Sequence, residues 1–145
     1  MKVRFKKLSP KAVTPSYATL GDAGMDVTAI GHRIDAKHNF IEYHTGLALE
    51  IPEGYVGLLF PRSSVSKMDV SLANCVGVVD SGYRGEITFR YKFAKDSFFA
   101  GVKRYNDGDR IGQLVIIPYP SIELEEADEL NETVRGEGGY GSTGK

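Results

Sequence analysis

The sequence predicts an all-β chain folded as one antiparallel sandwich or barrel, and three observations carry that prediction. Short apolar or alternating runs recur between residues 3 and 119. β-Branched and aromatic side chains fill them. The dividers P-S, G-D-A-G, P-E-G, P-R-S-S, D-S-G, N-D-G-D and P-Y-P are turn formers. Strands of this length and spacing pack as two sheets or close into a barrel. The 145 residues suffice for one domain with a real core.

In chain order, strands are expected at VRFKKL (3–8), MDVTAI (25–30), FIEYHTGLALEI (40–51), YVGLLF (55–60), CVGVV (75–79), EITFRYKFA (86–94) and RIGQLVIIPY (110–119). Helix is scarce. SSVSKMDVSLAN (63–74) has room for a turn or two. ELEEADEL (123–130) reads either as a short helix or as a strand end running into a loop, and its acids read as a solvated surface. The chain divides into a β domain over 1–134 and a flexible tail over 135–145. That tail, RGEGGYGSTGK, holds five glycines in eleven residues and one large side chain, Tyr140, too little apolar surface to order itself. Its arginine, hydroxyls, lysine and bare N–H groups nevertheless form a good anion-wrapping set, and Tyr140 is able to stack on a planar ligand.

Composition excludes several classes of function. Net charge is −1, with 41% hydrophobic and 26% charged residues, so no basic field holds a nucleic-acid backbone, although a small anion needs only a few local arginines. The single cysteine, Cys75, allows no internal disulfide; inside its apolar run it reads as a small buried hydrophobe. No apolar stretch reaches membrane-spanning length, and the basic start MKVRFKKLSPK lacks a signal-peptide core. An intracellular, cytoplasmic protein is expected, with a nuclear or viral setting left open.

Some motifs mislead. Gly136, Gly138 and Gly141 spell G-x-G-x-x-G, but a dinucleotide fingerprint follows a strand and opens a helix, and here an acidic loop precedes it. G-Y-G-S-T-G-K resembles a P-loop without the strand and helix that a P-loop joins. His32, His38 and His44 show no metal-ligand spacing and read as structural or surface residues. No G-x-S-x-G elbow is present.

The excess of chemistry lies elsewhere. D-S-G-Y-R-G-E (80–86) crowds two acids, a phenol and a guanidinium around what reads as a hairpin turn. A carboxylate at the end of a buried strand either caps its own backbone or orients a water. With GDAGMDVTA (21–29), PRSSV (61–65), GVVDSGYRGEI (77–87), RIGQL (110–114) and RGEGGYGSTG (135–144), the chain resembles, over nearly its whole length, the five-motif homotrimeric deoxyuridine triphosphatases (dUTPases).

The resemblance implies a jelly-roll-like fold, hydrolysis of dUTP to dUMP and pyrophosphate, magnesium as cofactor, and a homotrimer with shared sites. It implies Asp80 as the catalytic group that handles water and touches the sugar, and Tyr83 as the ring that excludes a 2′-hydroxyl. It places Asn74 and Val79 at the uracil pocket. Arg62, Ser63, Ser64 and Gln113 fall on the phosphates, and Asp26 reaches magnesium through water or braces the site. In the tail it implies Arg135 on the γ-phosphate, Tyr140 over the uracil, and Gly141, Ser142 and Thr143 closing the site. Arg84 and Glu86 read as a structural or intersubunit ion pair. The chain departs from the family pattern mildly: Val27 replaces leucine, Gly112 alanine and Tyr140 phenylalanine. Two other readings compete. A dCTP deaminase on the same fold is expected to carry an acid where Arg84 stands and a tryptophan where Tyr83 stands. A nonenzymatic nucleotide-sensing module has no chemical need for Asp80.

Overall fold

Residue alternation and turn chemistry build two stacked antiparallel sheets, seen in a computed structural model that describes residues 1–94 and 101–139. The strands are β1 (Arg4–Lys7), β2 (Met25–Thr28), β3 (Gly31–Asp35), β4 (Phe40–His44), β5 (Leu47–Glu50), β6 (Tyr55–Pro61), β7 (Val70–Leu72), β8 (Gly77–Val79), β9 (Thr88–Phe93) and β10 (Arg110–Pro118). One sheet has the order β2-β10-β6-β8 and the other β3-β4-β9-β7, while β1 and β5 form a two-stranded ribbon. Every pairing is antiparallel. This is the jelly-roll type of sandwich that the sequence led us to expect.

The period of two sets the core. β9 alternates as TFRYKF, with Phe89, Tyr91 and Phe93 buried and Arg90 and Lys92 exposed. Opposite them lie Val27, Leu59, Val79, Ile111 and Leu114 of the other sheet, with Ile41 and Tyr43 beside them on β4. Three core tyrosines interlock edge to face: Tyr43–Tyr91 at 5.9 Å, Tyr43–Tyr105 at 6.1 Å and Tyr91–Tyr105 at 5.6 Å between ring centroids. Two of their hydroxyls are satisfied by backbone, Tyr43 donating to the Tyr105 carbonyl at 2.7 Å and Tyr91 to the Ile111 carbonyl at 2.5 Å.

Three expectations need correction. The run 40–51 is two strands, because Gly46 takes a positive φ of 65° and sends the chain from one sheet into the β1–β5 ribbon. The segment 63–74, with its room for a turn or two, holds a 3₁₀ turn at Ser63–Lys67, after which Val70–Leu72 pair with β9. β3 appears where no strand was expected; Gly31–Asp35 is a mostly polar strand held by in-register pairing with β4. Cys75 is exposed rather than buried, since the turn from β7 into β8 puts it at φ 57° and β8 begins two residues later. Residues 119–129 contain neither helix nor strand. No helix among the described residues is long and apolar enough to cross a membrane.

Candidate active site

The segment 80–87 is not a hairpin. β8 pairs with β6 in one sheet and β9 with β4 in the other, so this loop carries the chain across the sandwich. Its polar residues explain how it holds shape. The Tyr83 N–H donates to the Asp80 carbonyl at 3.1 Å, closing a tight turn. The Arg84 guanidinium folds back onto the loop's own carbonyls, donating to Ser81 at 2.6 Å and Tyr83 at 2.8 Å. Glu86 accepts from the Gly46 N–H at 2.7 Å and meets His44 Nδ1 at 3.1 Å, which ties the loop to the β4–β5 corner. Within the chain, Arg84 and Glu86 therefore serve separate anchors instead of pairing with each other, as had been expected of them.

With the turn closed by backbone, the Asp80 carboxylate is left over. It is exposed, and it makes no side-chain hydrogen bond among the described residues. The self-capping alternative for this aspartate is thus not what the structure adopts. Tyr83 is held from two sides. Its hydroxyl donates to the Glu86 carbonyl at 3.1 Å, and its ring lies across Gly85, where an added β-carbon would sit 2.3 Å from the phenolic oxygen. Asn74, Val79, Asp80 and Tyr83 line one recess of about 180 Å³, with Gly77 and Ile87 at its wall. Asn74 Nδ2 also crowds Gly77, 3.1 Å from where a β-carbon there would lie. An apolar strand wall, a carboxamide, a fixed ring and an unpaired carboxylate suit a small planar ring attached to a sugar.

A second cluster forms at the far end of β6. Asp26 is 9% exposed and accepts from Arg62 Nε at 3.1 Å on one oxygen and from Arg110 Nη1 at 2.8 Å on the other. Gln113 Nε2 stands 3.5 Å from the same carboxylate, directly across the β2–β10 pairing. Ser63 and Ser64 follow Arg62 in the 3₁₀ turn, and the Ser64 Oγ lies 3.2 Å from the Tyr105 hydroxyl. Two partly exposed guanidiniums sharing one carboxylate have N–H groups that it does not use, next to an amide and two hydroxyls: a donor-rich surface for an oxyanion. No cage for a metal goes with it. Among the described residues no three His, Cys, Asp or Glu side chains gather closely enough to hold an ion, and both Asp26 oxygens already accept from arginines. These residues do not fit a protein-held magnesium ion, and Asp26 serves here as a brace.

The chain alone does not join the two clusters. Val79 pairs with Gly57, which puts Asp80 level with Val56, six residues before Arg62, so Asp80 and Arg62 sit at opposite ends of the β6–β8 pair, separated by about 20 Å of strand. Arg135 is exposed and donates to the Gly138 carbonyl at 3.0 Å, away from both clusters' contacts. Tyr140, Gly141, Ser142 and Thr143 lie outside the described residues. Sequence reasoning assigned no role to Arg110, although a cation opening an apolar strand was the available signal. It also passed over Tyr105, which carries no local signal at all.

A jelly-roll sandwich with a nucleoside-sized recess and a separate donor cluster for oxyanions defines a class: a β protein equipped for a small phosphorylated ligand. The model of the dUTPase family matches residues 10–144, and the chain belongs to that family. The deoxyuridine 5′-triphosphate nucleotidohydrolase of Picosynechococcus sp. is 38% identical over 99% of this chain and 99% of its own length. A variant dUTPase of Staphylococcus bacteriophage 80alpha, solved with dUpNHpp, superposes with a TM-score of 0.78 at 28% identity, covering 99% of each chain. A variant dUTPase of the S. aureus phage phi11, whose structure concerns coordination of a structural Mg(II) ion, has a TM-score of 0.71 at 27% identity, with 89% of this chain and 98% of that one covered.

Proposed function

We propose that the chain hydrolyses dUTP to dUMP and pyrophosphate, with Asp80 orienting the water that attacks the α-phosphorus. The observation that carries the reading is the recess itself: the Asp80 side chain has no hydrogen-bond partner there among the described residues, and it lies beside Asn74, Val79 and the pinned ring of Tyr83. Asn74 offers both a donor and an acceptor, as the mixed edge of uracil requires. The Tyr83 ring lies flat against the sugar and leaves no room for a 2′-hydroxyl. Asp80 accepts a proton from water and aims its oxygen along the line opposite the leaving pyrophosphate.

The phosphates take the second cluster. Arg62 supplies guanidinium N–H groups, Ser63 and Ser64 hydroxyls, and Gln113 an amide, while Asp26 and Arg110 hold Arg62 in place. Arg135 pairs with the γ-phosphate, and Tyr140, Gly141, Ser142 and Thr143 close over the ligand, expelling water. Magnesium would be held by the triphosphate oxygens and would add its positive charge to that of Arg62 and Arg135; any contact with Asp26 would run through water. The strand-length separation of the two clusters supports a shared site, in which the recess of one subunit faces the donor cluster of another, as in the homotrimer that the family resemblance implies.

The test is Asp80→Asn. Pyrophosphate release from dUTP is expected to fall by about 10²- to 10⁴-fold while dUpNHpp still binds. Turnover near that of the unaltered protein removes the water-handling role. The same assay with dCTP, read as ammonia, is expected to give no signal.

A further inference from the structure

We propose that Tyr105 is a positioning residue for the phosphate site: its buried hydroxyl fixes the direction in which Ser64 donates. This rests on the reading of Ser64 as a phosphate ligand. Tyr105 is 2% exposed and wedged edge-on between Tyr43 and Tyr91. Its carbonyl receives the Tyr43 hydroxyl at 2.7 Å, so ring and backbone are both immobilised from β4. The hydroxyl of this locked ring reaches one partner among the described residues, Ser64 Oγ at 3.2 Å, in the turn that follows Arg62.

A serine hydroxyl has one proton and two lone pairs. Against another neutral hydroxyl the bond runs either way. A phosphate oxygen only accepts, so a bound triphosphate requires the Ser64 proton, and the chain then runs from Tyr105 to Ser64 to phosphate. Each donation polarises the next. Without the phenol, Ser64 is free to rotate among staggered wells, two of which point its proton away from the ligand. The core of the sandwich thus sets the donor geometry of a surface site through a single hydroxyl. β10 shares the anchoring, since Tyr91 of the same aromatic cluster donates to the Ile111 carbonyl, two residues before Gln113.

The test uses Tyr105→Phe, which keeps the ring and removes the hydroxyl, alongside Ser64→Ala and the double variant. Calorimetry measures affinity for dUpNHpp and for deoxyuridine, which has no phosphate. Tyr105→Phe is expected to weaken dUpNHpp by about three- to tenfold, one hydrogen bond's worth, and to leave deoxyuridine unchanged. The double variant is expected to lose no more than Ser64→Ala alone. If Ser64→Ala weakens dUpNHpp but Tyr105→Phe does not, or if the two losses multiply, the positioning role is overturned and Ser64 keeps its own. If Ser64→Ala leaves dUpNHpp untouched, the phosphate reading of Ser64 fails and the inference goes with it. Equal weakening of both ligands by Tyr105→Phe marks a general loss of structure and likewise overturns it.

Discussion

Gly85 is a glycine because the Tyr83 ring occupies the space that a β-carbon there would need. The selectivity assigned to Tyr83 therefore depends on its neighbour. Gly85→Ala is expected to lift the ring off the sugar position and to relax discrimination against UTP, as Tyr83→Ala does, with both read as the ratio of dUTP to UTP turnover; an unchanged ratio in both variants removes the sugar gate. A similar contact governs Gly112, where alanine is usual in the family pattern. Its missing β-carbon would lie 2.2 Å from Phe89 Cε1, so the ring fills the space that an alanine would need. Gly112→Ala is expected to destabilise the fold by about 1–3 kcal/mol through overpacking. Phe89→Leu in the same chain should recover much of that loss in thermal unfolding. At this scale the sequence showed chemistry crowded around Asp80 and Tyr83 and an amide, Gln113, among apolar neighbours, while Asn74 came only with the family resemblance. It did not show what they touch. The partners of Arg84 and Glu86 depend on which loop carbonyls and which corner N–H lie within reach, and nothing in D-S-G-Y-R-G-E encodes that the β4–β5 corner is nearby.

Among elements, the strands that were legible are those with strong alternation, such as β9, or with continuous apolar runs, such as β6 and β10. β3 was not legible because its outward residues are polar and its stability comes from across the sheet. Arg33, Glu42 and Arg90 stand in register on β3, β4 and β9, and both guanidiniums donate to the Glu42 carboxylate, Arg90 at 2.6 Å. Arg33 and Arg90 also lie over the Phe40 ring, at 5.6 and 5.0 Å from its centroid. Burial pushes the Glu42 carboxyl up, yet the hydrogen bonds and charges of Arg90 and Arg33 outweigh it and hold the group below the ordinary glutamate range. A carboxyl depressed in the folded state stabilises above its unfolded value, about pH 4.3, and that stabilisation disappears as pH falls through the folded value. Glu42→Gln is expected to cost about 1–2 kcal/mol at pH 7, since its arginines are half exposed and partly rehydrate. It should also flatten the fall in unfolding free energy below pH 4.3. An equal acid-induced loss in both proteins would show that Glu42 is not the group responsible. Burial acts in the same direction on Tyr43 and Tyr91, where nothing outweighs it, and their phenols are pushed far up.

For the whole molecule, the decisive fact is that the recess and the donor cluster lie at opposite ends of one strand pair. Sequence order hid this, because PRSSV and GVVDSGYRGEI are close in the chain and only the β6–β8 register separates them. The tail belongs to the same scale. Deleting residues 135–145 is expected to leave a folded oligomer by size-exclusion chromatography with little dUTP turnover, whereas full activity would dismiss its closing role.

The most direct measurement mixes two inactive proteins. Asp80→Asn spoils the recess and Arg62→Ala the donor cluster, each in its own chain. They are unfolded together in equal amounts, refolded, and assayed for pyrophosphate release from dUTP. Shared sites predict that activity returns to about a quarter of that of the unaltered protein, because one site in four draws both intact halves from different subunits. If every site is built within a single chain, each still carries one lesion, and a refolded mixture as inactive as its parents would contradict the account.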